Sequence, residues 1–153
     1  MSAAKPTNPL LPHWLICAAM LALLVIYNLI CHIWADQLRH VLEESVRVTI
    51  RTTFYVITIA LFPLTNLIRH ILLRLNQTMP GDTSAERRYL LTIIVTQSLL
   101  ELVSLFGLIM FLLGDDFNTL YIFSVLGLLG IYLHKPKPAE FQSIVSALTS
   151  KAG

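Results

Sequence analysis

Thr96-Gln97-Ser98-Leu99-Leu100-Glu101-Leu102-Val103-Ser104-Leu105-Phe106-Gly107-Leu108-Ile109 lies in the middle of an apolar run from Tyr89 to Leu113. A helix rises about 1.5 Å per residue and the hydrocarbon core of a bilayer is roughly 30 Å thick, so a run of this length crosses it with some tilt. Glu101 is its central residue. A carboxylate at that depth is costly to leave charged or unpaired, and an intramembrane ionisable residue is read as functional by default. The stretch therefore sets both the solvent of the fold, which is lipid, and the first candidate site.

The rest of the chain agrees. Of 153 residues, 56% are hydrophobic and only 13% are charged, whereas a soluble domain of this size needs more polar surface. The net charge of +2 is small, and the cations gather in particular loops instead of forming a basic stripe, which excludes nucleic acid as a partner. Cys17 and Cys31 stand about 21 Å apart along one apolar helix, beyond the roughly 4.4–6.8 Å Cα separation of a disulfide. They read as free thiols acting as small hydrophobes. One lysine and three prolines precede the first apolar run, which is longer than the 7 to 15 or so residues of a signal-peptide core, so that run is expected to stay as a span.

Residues 1–12, with Pro6, Pro9 and Pro12, read as a short extended tail. The first span is expected over 13–34, with Trp14 and Trp34 about 30 Å apart, one at each interface. Asn28 inside it is expected to bond to another helix. Residues 35–52 carry Leu38, Val41, Leu42 and Ser45 at helical spacing among Asp36, Arg39, Glu43, Glu44 and Arg47. This predicts a surface amphipathic helix, or aqueous extensions of the flanking spans. The second span is expected over 53–73, where Pro63 removes a backbone donor, frees the Ile59 carbonyl and predicts a kink. Arg69, His70 and Arg74 close it, with long side chains that reach the interface.

After a turn-rich loop, Thr83-Ser84-Ala85-Glu86 has the spacing of a capping box that starts the third span, over 89–113. Gly114-Asp115-Asp116 reads as a tight hairpin in which Gly ends one helix and the acids cap the next. The fourth span, 117–133, carries Ser124, Gly127 and Gly130 three apart, a small-residue strip for close helix approach. Pro136 and Pro138 stop it. Phe141, Ile144, Val145 and Leu148 then form the apolar stripe of an amphipathic tail helix over 139–149, expected on the membrane surface or on a partner. The fold class is all-α: one membrane domain over 1–153, a four-helix bundle of two hairpins, with a surface helix between spans one and two. Lys5, Arg69, Arg74, Arg87, Arg88, Lys135, Lys137 and Lys151 fall on the side of both termini, against Arg39, Arg47 and Arg51 on the other. The termini are therefore expected in the cytoplasm, with the protein in a bacterial inner membrane. The glycosylation-like Asn76-Gln77-Thr78 then lies on the cytoplasmic side.

At 100° per residue, Gln97, Glu101 and Ser104 fall within about 60° of one helix surface. Such a polar stripe must face protein or water. Three readings follow. Glu101 is neutral and bonded to a neighbouring helix as a packing element; or it takes up and releases a proton or a sodium ion, with Gln97 and Ser104 supplying oxygens; or the stripe lines a cavity for a lipid or quinone head group. A second constellation is His32, Asp36 and His40, four apart each time. On a continuous helix they share one face and are able to ligate a metal at the extracytoplasmic surface, with Cys31 and Glu43 nearby. The other reading is the wet face of an interfacial helix. No nucleophile with its base, phosphate loop or haem-binding pair is visible, so a non-enzymatic protein without a resident cofactor is expected, a bound lipid aside.

Glu101-Leu-Val-Ser-Leu-Phe-Gly107-Leu-Ile-Met-Phe-Leu-Leu113 is similar to the ion-carrying helix of rotary ATPase proteolipids, in which a glutamate precedes an aliphatic or aromatic pair and a Gly-Leu-Val/Ile run. The spacing of Gln97 to Glu101 resembles the supporting polar residues of their sodium-binding versions. The resemblance is confined to the segment around Glu101 and implies that Glu101 is the ion carboxylate. The layout also resembles small bacterial four-span membrane proteins with a Glu-x-x-x-Leu-Phe-Gly-Leu segment, an acidic turn and a short last helix. The leading expectation is an accessory or structural subunit of a larger membrane complex, partnered by lipid, other membrane subunits or a second copy of itself. Proton or sodium translocation through Glu101 is the alternative, and a metal-binding subunit through His32, Asp36 and His40 the third.

Overall fold

The structure, a computed structural model, describes residues 8–152; of the tail expected over residues 1–12, residues 1–7 lie outside them, and Leu11 and Pro12 belong to the first helix. Six helices follow one another: α1 (Leu11–Ile33), α2 (Ala35–Leu38), α3 (Glu44–Thr78), α4 (Ala85–Leu112), α5 (Phe117–Leu133) and α6 (Pro138–Ala152). No strand occurs among the described residues. The helices α1, α3 and α4 are each long and apolar enough to cross a membrane, and α5 with α6, a pair bent by 40°, forms a fourth candidate. The 35 residues of α3 rise about 52 Å, well beyond a bilayer core of roughly 30 Å, so its ends stand clear of the apolar layer. It runs unbroken through Pro63.

All the other long helices are arranged around α4. It packs against α1, α3, α5 and α6, and half of its most apolar stretch is buried, against 17% for α1 and 22% for α3. The remaining apolar faces of α1 and α3 point outward, with Leu15, Val25 and Leu29 on the first and Val56, Ile59 and Leu67 on the second. Lipid tails are as apolar as leucine, so such faces carry no penalty in a bilayer.

At one end of the molecule Leu10, Cys17, Tyr89 and Ile93 enclose Phe141 and Ile144 of α6. The apolar stripe of the tail helix thus docks on its own chain through Phe141 and Ile144, because the elbow after α5 folds α6 back over α3 and α4. The middle holds Leu61, Val103, Met110 and Phe123, and the far end Cys31, Phe111 and Leu120.

The seam between α4 and α5 is close. A Cβ at Gly127 would collide with Ser104, and one at Gly130 would stand 2.7 Å from Leu100 Cδ2. Ser124 turns instead to α1, where its hydroxyl accepts a hydrogen bond from Asn28 Nδ2 at 2.9 Å. The small-residue strip is therefore used within the chain.

Between α1 and α3 the expected surface helix over 35–52 is replaced by three different pieces. Only Ala35–Leu38 forms a helical turn, residues 39–43 are non-helical, and residues from Glu44 onward are the first turns of α3. The reason lies at a distance in sequence. The last carbonyls of a helix have no partner of their own; here the His40 amide donates to Leu112 O at 2.8 Å and the Leu42 amide to Leu113 O at 3.1 Å. Arg39 and Arg47 donate to Gly114 O at 3.0 and 3.2 Å, and Arg51 pairs with the Asp115 carboxylate at 3.0 Å. Gly114 has φ +91°, and Val41 Cα lies 2.6 Å from where its Cβ would be, so this turn admits only glycine.

Asp116 caps α5, accepting from the Thr119 amide at 3.0 Å. Asp116→Ala should cost about 1 kcal/mol of stability while Asp116→Asn retains most of it, as read from unfolding in mixed detergent micelles. At the start of α4 the cap is Ser84, which accepts from the Arg87 amide at 3.5 Å. The helix begins one residue later than a box opening on Thr83 would place it.

Candidate functional site

The Gln97, Glu101 and Ser104 stripe is buried where α4 meets α1 and α5, with 0%, 6% and 2% exposure. Gln97 is held by its amide nitrogen, which donates to Ile131 O at 3.3 Å and His134 O at 3.1 Å and meets Cys17 Sγ at 3.2 Å. The acceptor side of the stripe is different. Gln97 Oε1, both carboxyl oxygens of Glu101 and Ser104 Oγ are all buried without a hydrogen-bond partner. Tyr27 of α1 stands beside the Glu101 carboxyl group, with its hydroxyl at the margin of hydrogen-bond range. An unpaired buried polar group costs on the order of 1–3 kcal/mol, and four such oxygens follow one another along two turns of a single helix face. The chemistry they suit is that of a species bringing protons or positive charge.

A second polar centre lies where α3 meets α4 and the elbow between α5 and α6. Arg69, which the sequence presents as a side chain reaching to the interface, is only 3% exposed. Its guanidinium donates to both carboxyl oxygens of Glu140, at 3.2 Å from Nε and 2.7 Å from Nη2. It also donates to His134 O at 2.8 Å and Lys135 O at 3.1 Å, with Thr96 and Tyr89 hydroxyls at 3.4 Å. Tyr89 donates in turn to Glu140 Oε2 at 2.9 Å. The fork geometry of arginine suits it to such a bidentate, buried role. The two centres meet at His134, whose carbonyl accepts from both Arg69 and Gln97. The signal in the sequence is the spacing of Thr58, Leu61, Thr65, Arg69 and Asn76, which all turn inward from one face of α3.

Arg88 is likewise buried. It donates to the carbonyls of Met79 and Gly81, both at 2.8 Å, and of Thr83 at 3.0 Å, so its charge binds up the α3–α4 loop. Asn76 donates to Arg88 O at 3.1 Å and Thr92 Oγ1 at 2.8 Å.

His32, Asp36 and His40 are not brought together. The helix ends at Trp34 and again after Leu38, which places His40 on the extended linker. Both ring nitrogens of His32 are engaged, Nδ1 with Asn28 O at 2.7 Å and Nε2 with Tyr121 Oη at 2.8 Å. Among the described residues no group of three His, Cys, Asp or Glu side chains is placed to hold a metal ion. That set requires a continuous helix, and the pairing of the linker with the end of α4 removes it.

Three to four apolar helices of membrane-spanning length, with a buried polar stripe on α4, define the class as a polytopic helical membrane protein. Comparison with protein-family models, curated proteins and solved structures finds no match to this chain.

Proposed function

We propose that this is a non-enzymatic membrane protein of four spans, with α5 as the fourth and both termini on the cytoplasmic side of a bacterial inner membrane, and that the α4 stripe holds a proton or a sodium ion within the bilayer. The observation that carries the reading is the run of partnerless buried oxygens on Gln97, Glu101 and Ser104. A hard monovalent cation takes oxygen ligands from carboxylate, amide and hydroxyl, by the preference seen for hard cations generally, and a proton on Glu101 removes the charge that lipid penalises. The similarity of the Glu101 segment to proteolipid ion helices supports the same carboxylate. Orientation rests on the excess of lysine and arginine at the end that holds the α3–α4 loop and α6.

The test is Glu101→Gln in the full chain, reconstituted in liposomes. The variant keeps the shape of the side chain and loses its exchangeable proton and charge. Proton or sodium uptake under an imposed potential should fall to the level of empty vesicles. Uptake equal to the wild type overturns the reading.

A second reading, an accessory or structural subunit, is favoured by the seam at Ser104, where Gly127 closes the space beside the stripe, and by the outward apolar faces of α1 and α3. In this reading Glu101 is neutral packing, Glu101→Gln is silent, and other membrane subunits or a second copy copurify after mild extraction.

A further inference from the structure

Between α3 and the elbow that joins α5 to α6 lies a cavity of about 400 Å³. Its wall is graded. Phe62, Pro63 and Leu133 supply an apolar side, and Asn66, Arg69, His134 and Lys137 a polar one, at the end of the bundle where the cations gather. Arg69 contributes charge there but no free donor, because all three of its nitrogens are committed to Glu140, to carbonyls and to hydroxyls. Lys137 has a side chain 50% exposed, and its ammonium is held only by a long pair with Glu140 at 4.0 Å. Asn66 is exposed as well.

His134, 5% exposed, lies in the same wall, and its ring is held by Nδ1 facing Gly130 O at 3.1 Å. The cavity thus presents a cationic and an amide donor for an anion beside a wall that suits a hydrocarbon chain. Basic pockets between spans at the membrane interface hold phospholipid head groups by this combination.

We propose that the cavity binds the head group of an anionic phospholipid, of the phosphatidylglycerol kind. The phosphate sits on Lys137 and Asn66, and an acyl chain runs over Phe62, Pro63 and Leu133. A free phosphate ion shares the anion chemistry but makes no use of the apolar wall.

The test titrates delipidated full-length protein in non-ionic detergent with phosphatidylglycerol, phosphatidylcholine or inorganic phosphate, reading bound lipid by native mass spectrometry and protection by thermal midpoint. Phosphatidylglycerol should bind about tenfold tighter than phosphatidylcholine. Lys137→Gln and Asn66→Leu, both at exposed positions, should each weaken it by about fivefold and leave phosphatidylcholine binding unchanged. Arg74→Gln, an exposed cation at the same end but outside the cavity, should change nothing, and inorganic phosphate should neither protect nor compete. Equal affinity for the two lipids, full affinity in both exposed variants, or an equal loss in Arg74→Gln overturns the proposal. Competition by inorganic phosphate overturns the lipid as the source of the anion.

Discussion

Arg69→Met should destabilise the protein by about 3–5 kcal/mol, because removing one partner of a buried pair strands the other. The variant leaves the Glu140 carboxylate and the carbonyls of His134 and Lys135 without their donor. Its effect should be concentrated at one end of the molecule. The Arg69–Glu140 pair fastens α6 to α3, and Phe141 and Ile144 are buried only while α6 is docked, so limited proteolysis should cut within 138–152 well before the bundle unfolds. Arg69→Met combined with Glu140→Met removes both charges and should recover a large part of the loss, since apolar replacement of a whole buried pair is often neutral or better. An exposed interfacial pair would be worth at most about 1 kcal/mol. A loss that small for Arg69→Met in equilibrium unfolding would contradict the buried geometry.

Gly107→Ala should be the most damaging of the small substitutions along the α4–α5 seam. An added Cβ would stand 2.8 Å from Phe123 Cβ and 3.2 Å from Leu120 O. Neither atom can swing away, one being fixed to the α5 backbone and the other part of it. The helices must separate, at a cost of about 1–3 kcal/mol for overpacking. The loss should reach α3 as well, because Phe123 packs with Leu61, Val103 and Met110 and stacks on Tyr55 with ring centroids 4.8 Å apart. Gly127→Ala should cost less. The nearest atom there is Ser104 Oγ, which turns about a single bond, and Ser104→Ala should relieve it further. A Gly127→Ala variant less stable than Gly107→Ala would refute this ordering.

Much of the fold is legible in the sequence because lipid imposes a length and a composition that survive any local detail. The apolar runs over 13–34, 89–113 and 117–133 coincide closely with Leu11–Ile33, Ala85–Leu112 and Phe117–Leu133. Hydropathy places the second run at 53–73, but the helix covers Glu44–Thr78. It reports only the part inside lipid, and the ends bearing Arg47, Arg51 and Arg74 are helical without being apolar. The α4 stripe is legible too, since its three polar residues share one face whatever the helix packs against. Contacts between residues far apart in the chain are not. Arg69 looks like an interfacial cation until Glu140, 71 residues on, is brought against it. The surface helix depends on residues 35–52 staying helical, and the metal set on a helix running unbroken from His32 to His40, and the chain leaves the helix after Leu38. The strip of Ser124, Gly127 and Gly130 is a place of close approach, as its spacing implies, but that spacing does not encode whether the partner lies inside or outside the chain.

The central position of α4 also has a consequence for biogenesis. The chain delivers α1 and α3 to the membrane before α4 has been synthesised, and each of them finds its main packing partner in α4. The linker amides of His40 and Leu42 likewise wait for the carbonyls of Leu112 and Leu113. The first half of the nascent protein therefore has little to hold it together in the bilayer, and a ribosome stalled before residue 85 leaves two loosely associated helices exposed to membrane quality control. Insertion of α4 and α5 then gathers the earlier spans in one late step.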